Sequence, residues 1–145
     1  MAAPSHFSDS RGDAPAVNAV RATRRLQRPR KKGVRTPDGA VYVGRPTPFT
    51  NPFTAARFGH ARSVALYGRW LDRRLGARSL ELLGFCPAEV DAIQRFRSAL
   101  DRHLPRLIGR DLQCWCPLTS RYCHAEFLLE HARMMVLQQS MKLAA

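Results

Sequence analysis

Asp111-Leu112-Gln113-Cys114-Trp115-Cys116-Pro117-Leu118-Thr119-Ser120-Arg121-Tyr122-Cys123-His124 is the densest chemistry in this 145-residue chain. Residues 114–124 hold three of the four cysteines, one of the five histidines and one of the two tryptophans. Asp111 to Gln113 leans apolar and predicts a strand. Pro117 opens a turn. Ala125 to Val136 is amphipathic, with a stripe at Phe127, Leu128, His131, Met134 and Met135, and predicts a helix from about His124. Strand, turn and helix start follow in that order, with sulfur and imidazole gathered at the turn.

A second strand-and-loop unit lies upstream. Val41-Tyr42-Val43, bounded by Gly39 and Gly44, reads as a short buried strand. Residues 44–53 follow it, Gly44-Arg45-Pro46-Thr47-Pro48-Phe49-Thr50-Asn51-Pro52-Phe53, with three prolines in seven residues. Proline at that density forbids helix and central strand. It makes a stiff loop able to hold Arg45 and Asn51 in place. Phe49 and Phe53 can pin that loop to a core. A helix is expected over Ala61 to Leu75, from Val64, Tyr67, Leu71 and Leu75, with Gly76 to end it. Another opens at Pro87, with Glu89 and Asp91 in its first turn and Val90, Ile93, Phe96, Leu100 and Leu104 as its stripe. Cys86 stands alone before it and reads as a small core residue.

Strands followed by helices predict an α/β fold: one small domain over 37–138, a short parallel sheet with flanking helices. Two strands are clear and a stable sheet wants a third, from residues 77–85 or from a partner chain. Residues 1–36 are expected to be a disordered basic arm, with at most a short helix over Ala14 to Leu26. Arg24 to Lys32 is too polar to pack, and Pro29 interrupts it. Residues 139–145 are expected to fray.

The formal net charge is +13. Residues 1–35 carry nine Lys/Arg against two Asp/Glu, so the arm is the most basic part per residue. Such an arm is either simply solvated or has affinity for polyanions, nucleic acid included. No run approaches the ~20 apolar residues of a membrane span, and Ala14 to Val20 is too short for a signal peptide core. A cytoplasmic location without membrane association is expected. In a reducing compartment, clustered cysteines favour metal or chemistry over disulfides.

Ligands of parallel α/β sheets bind beyond the carboxyl ends of the strands. Both unusual loops follow strands, so Arg45 and Asn51 are expected to face Cys114, Cys116, Cys123 and His124 across one cleft. Three readings stay open there. Cys114, Cys116, Cys123 and His124 form a zinc ligand set. Cys123 and His124 are neighbours that diverge by roughly 100° at a helix start, so three ligands and an open position come more easily than four. Without metal, Cys123 at a helix N-terminus beside His124 is a catalytic nucleophile candidate, with His124 its partner, at a site for a phosphorylated or nucleotide-like small molecule. In that site Arg45 pairs with an anion, and Asn51 bonds the ligand or fixes the loop. The third reading is a structural cysteine cluster.

Val41-Tyr42-Val43-Gly44-Arg45-Pro46, Asn51-Pro52-Phe53, Gly109 to Cys116 and Cys123-His124-Ala125-Glu126-Phe127-Leu128 together resemble domain of unknown function 4326, a small domain of bacteria and their viruses. The resemblance covers about residues 40–135. It implies that the two loops belong to one module. In the family pattern Cys-His follows a proline in a shorter loop than Leu118 to Tyr122 makes here.

Overall fold

Three strands, Arg25–Gln27 (β1), Ala40–Tyr42 (β2) and Asp111–Cys114 (β3), make an all-parallel sheet in the order β1-β3-β2. The computed structural model describes residues 22–144. Leu112 is level with Arg25 on one side and Val41 on the other. Because side chains alternate along a strand, Leu112 and Cys114 share one face with Val41 and Val43 and enter the core. Gln113 and Tyr42 take the other face. The segment joining β1 to β2 crosses there, and Thr36 Oγ1 donates to Gln113 Oε1 at 2.8 Å.

The helices are Ala55–Phe58 (α1), His60–Leu71 (α2), Ala77–Leu82 (α3), Pro87–His103 (α4) and His124–Ala144 (α5), with a 3-10 turn at Leu104–Leu107. None of them is long and apolar enough to cross a membrane. The core gathers Phe49, Phe53, Tyr67, Trp70, Leu80, Leu100, Leu112 and Leu128, all nearly or fully buried. Each such side chain contributes about 1.5–3 kcal/mol by leaving water. α2 and α5 approach closely at Gly68, where a β-carbon would lie 2.5 Å from the Phe127 ring. α4 opens as its sequence predicts, with Pro87 in the first turn and Glu89 accepting from the Cys86 N–H at 2.8 Å.

Several expectations need correction. The third strand comes from neither residues 77–85, which carry α3, nor a partner chain. It comes from the arm, as β1. The polar run packs because the Arg25 guanidinium finds acceptors along its whole length, described below. Residues 25–27 thus pair within the sheet, and Arg25 and Leu26 are strand rather than helix. The rest of the arm, residues 1–21, lies outside the described residues, as does Ala145.

α2 stops at Leu71, not Leu75. Arg73 takes the left-handed conformation at φ 60°, Arg74 N–H reaches Arg69 O at 2.9 Å and Arg73 N–H reaches Trp70 O at 3.1 Å. Those two bonds are the Schellman pattern, with Arg73 where glycine is usual. Cys86 is exposed as the N-cap of α4 rather than buried. On α4 Val90, Ile93 and Leu100 are buried as expected and Phe96 packs half-buried against Trp70, but Arg97 is buried as well. Its guanidinium donates to Trp70 O and Leu71 O at the end of α2 and to Asp101. On α5 the buried residues are Ala125, Leu128, Leu129 and Ala132, while Met134 is exposed. α5 runs to Ala144 where a frayed tail was expected, exposed from Leu137 onward.

Candidate functional site

β3 ends at Cys114, and the chain beyond it turns away through Pro117 before α5 brings Cys123 and His124 back. The Sγ atoms of Cys114, Cys116 and Cys123 then lie within 4.8 Å of one another. The strand ends at Cys114 and the chain bends at Trp115 and Cys116, and that bend leaves Cys116 beside Cys114. Cys114 Sγ and Cys123 Sγ are 3.2 Å apart, and both residues are buried. No disulfide joins them; all three are free thiols.

Arg25 organises this group. Its side chain is buried and its Nη1 lies 3.8 Å from Cys114 Sγ. The guanidinium also donates to the carbonyls of Cys116 at 3.0 Å, Pro117 at 3.1 Å, Leu118 at 3.2 Å and Ser120 at 3.4 Å. Its Nε meets Glu126 of α5 at 3.1 Å. One planar cation thus holds the whole cysteine loop by its backbone. Burial works against its charge, but Cys114 and Glu126 outweigh that and hold it above its ordinary range.

The thiols do not titrate alike. The contact with Cys123, together with Arg25 and the Cys116 N–H, lowers the Cys114 thiol to about 6, against burial. The contact with Cys114 and burial push the Cys123 thiol up. Burial raises Cys116. Within the pair, Cys114 is the thiol lowered and Cys123 the thiol raised. The Ala125 N–H meets Cys123 Sγ, and the Glu126 N–H meets Cys123 O at 3.2 Å. Both of those amides at the start of α5 thus meet Cys123.

His124 separates from the cysteines. Among the described residues the metal-capable group is the three cysteines, without His124. Its Nε2 lies 2.9 Å from Val43 O, and its ring stands edge-on to Tyr67 at 5.3 Å. Adjacent positions at a helix start point apart, so the four-ligand set becomes a three-cysteine set. Burial lowers the pKa of His124 and favours the neutral ring. A carbonyl only accepts, so Nε2 carries the proton and Nδ1 keeps its lone pair. Among the described residues Nδ1 has no hydrogen bond, and no buried side-chain nitrogen lacks a partner. His124 borders the cleft between the two loops.

That cleft has a volume of about 430 Å³ and is bordered by both loops, including Arg45, Asn51, Cys114, Trp115, Cys116 and His124. Arg45 is exposed at its edge, and its side chain makes no ion pair among the described residues. Asn51 is occupied within the fold. Its Nδ2 donates to Ser63 Oγ at 3.0 Å and Ser63 O at 3.1 Å, and its Oδ1 accepts the Phe53 N–H at 2.8 Å. Of the two roles expected for Asn51, it fills the one that fixes the loop. Cys123 is buried and is not among the residues that border the cleft. Sequence reasoning missed Arg25; its one signal was its place in a short run, Arg25-Leu26-Gln27, of strand length.

Fold and site define a small parallel α/β domain with a three-cysteine group, able to hold a metal ion, at the carboxyl edge of its sheet. Over residues 26–134 the chain matches the model of a family described as a domain of unknown function, DUF4326. It belongs to that family. No curated protein and no solved structure matches it.

Proposed function

We propose that Cys114, Cys116 and Cys123 hold a zinc ion, and that the cleft beside them binds a small nucleotide-like or phosphorylated ligand. The carrying observation is the sulfur geometry. Tetrahedral zinc with Zn–S near 2.3 Å places sulfurs about 3.8 Å apart. Here one pair is at 3.2 Å and all three lie within 4.8 Å. The charge also fits: three thiolates around Zn²⁺ leave one negative charge, and buried Arg25 offsets it. Three protein ligands leave zinc one position for an incoming oxygen or nitrogen, and bound zinc supplies Lewis-acid chemistry there.

The chain's own residues take distinct parts. Arg45 offers an unpaired cation to an anionic group. Asn51 holds the proline loop. His124 Nδ1 accepts or relays a proton, its ring fixed by Val43 O and Tyr67. Cys123 is a ligand in this reading.

A second, metal-free reading is favoured by Arg25 and Cys123 lowering the Cys114 thiol to about 6. Cys114 borders the cleft, so the nucleophile of that reading is Cys114 with Arg25 beside it. One experiment separates the two. Protein purified without a metal-affinity tag contains about one zinc per chain by elemental analysis in the first reading. Cys114→Ser, Cys116→Ser and Cys123→Ser each lose it, and Cys86→Ser keeps it. Metal-free protein in which iodoacetamide at neutral pH alkylates Cys114 ahead of exposed Cys86 supports the second. Metal-free protein with slow thiols at 114, 116 and 123 removes both.

A further inference from the structure

On the face of the sheet away from the helices, two rings sit beside the cleft mouth. Trp115 is 43% exposed. Its ring meets Tyr42 edge-on, at 6.5 Å and 83°, and its Nε1 donates to Tyr42 Oη at 2.8 Å. Tyr42 Oη donates to Arg45 O at 2.8 Å. The Arg28 guanidinium lies 4.5 Å from the Tyr42 ring centre and 5.2 Å from that of Trp115. Arg28 is itself fixed, because its N–H donates to Cys114 O at 2.7 Å. The indole is thus exposed and yet held in one orientation, so little conformational freedom remains to be lost when something stacks on it.

The charge around it has one sign. The chain leaves this platform at Arg28 and returns to the sheet at Thr36, with Arg30, Lys31, Lys32 and Arg35 exposed between. Arg45 adjoins through the Tyr42 hydroxyl. Among the described residues none of these five cations makes an ion pair, and Asp38 is the only acid from 24 to 45.

We propose that this surface binds single-stranded nucleic acid, a base stacking on Trp115 and the phosphates following the cations of residues 28–35. Any base offers a π-face, so stacking on an exposed ring tolerates sequence, while a basic track holds the backbone. A duplex hides its base faces and offers the platform phosphates only. A mononucleotide would leave Arg30, Lys31, Lys32 and Arg35 without use. The inference does not rest on the metal, because these side chains are not the cysteine ligands.

The test uses the full chain and a fluorescein-labelled 15-residue oligothymidylate, followed by anisotropy at two salt concentrations, with a hairpin duplex as comparison. The chain has two tryptophans, and Trp70 is only 3% exposed. Quenching of intrinsic fluorescence by unlabelled strand therefore reports on Trp115. The expected result is quenching by the strand, weaker binding of the duplex, and affinity for the strand roughly 5- to 100-fold lower in Trp115→Ala. Trp115→Phe keeps a ring and loses less. Lys31→Gln with Lys32→Gln reduces the salt dependence. Trp115→Ala that binds as tightly as the parent overturns the proposal, as does a duplex bound as well as the strand without quenching. No binding at low salt overturns it too. The Trp70 near-ultraviolet dichroism of each variant shows that it is folded.

Discussion

Arg25 shows how a polar residue becomes part of a core. An isolated guanidinium would be costly to bury. Here it has a carboxylate, a thiol and four backbone carbonyls as partners. Removing it would leave those carbonyls without their donor beneath the cysteine loop. Breaking a buried, hydrogen-bonded charge network costs several kcal/mol. Arg25→Met is expected to lower the unfolding free energy by about 3 kcal/mol, read from urea denaturation. Arg25→Lys is expected to recover only a minor part, because one ammonium cannot span acceptors set out for a planar fork. An unchanged urea midpoint in Arg25→Met would show that the loop holds itself. Arg97 repeats the principle at lower stakes, joining α4 to the last carbonyls of α2.

At the level of elements, legibility followed periodicity and turn chemistry. Val41 to Val43 and Asp111 to Cys114 were readable as strands because apolar and β-branched residues stand between glycine and proline signals. α4 was readable from Pro87, Glu89 and a clean apolar stripe. The two loops were readable as neighbours because both follow parallel strands, and one cleft does border both. β1 was not readable. Three residues are too few to show a period, and its one fully buried side chain is an arginine whose partners lie about ninety or more positions away. The end of α2 was hidden because an arginine takes the left-handed position. The division between His124 and Cys123 was half legible: their divergence follows from helix geometry, but the Val43 carbonyl that takes His124 does not. Truncation tests the boundary directly. A chain beginning at residue 22 keeps β1 and Arg25 and is expected to melt within a few degrees of the full chain. A chain beginning at residue 36 loses an edge strand and the anchor of the cysteine loop. It is expected to lose the cooperative transition or melt at least about 10 °C lower, on the scale of 4–8 °C per kcal/mol for small domains. Equal melting of the two chains would return residues 22–35 to the arm.

Across the whole molecule, buried titratable groups give stability a dependence on pH. His124 is packed against Tyr67, and His131 lies half-buried on α5. Burial, the largest cause for each, lowers both below the ordinary histidine value. For His131, Arg97 and Arg73 act in the same direction, and Asp72 and Asp101 oppose them. Well above about pH 6.5 both histidines are neutral in either state and contribute no slope. As pH falls through that value the unfolded chain takes up protons that the folded chain does not, so stability falls. The loss continues down to the lowered folded values. Cys114, lowered to about 6, has the same sign between its folded and its ordinary thiol value. Cys123, pushed up, has the opposite sign but acts only above the ordinary thiol value. If the three thiolates hold zinc as proposed, its loss in acid would add to this fall, since protons compete for the sulfurs. The histidine share can be isolated at position 131, away from the cysteines. Urea midpoints at pH 5, 6, 7 and 8 are expected to fall with pH in the parent. His131→Gln is expected to fall less below pH 6.5 and to run parallel to the parent above it. Parallel behaviour of the two proteins over the whole range would mean that the fold accepts a charged His131, with Asp72 and Asp101 outweighing its burial.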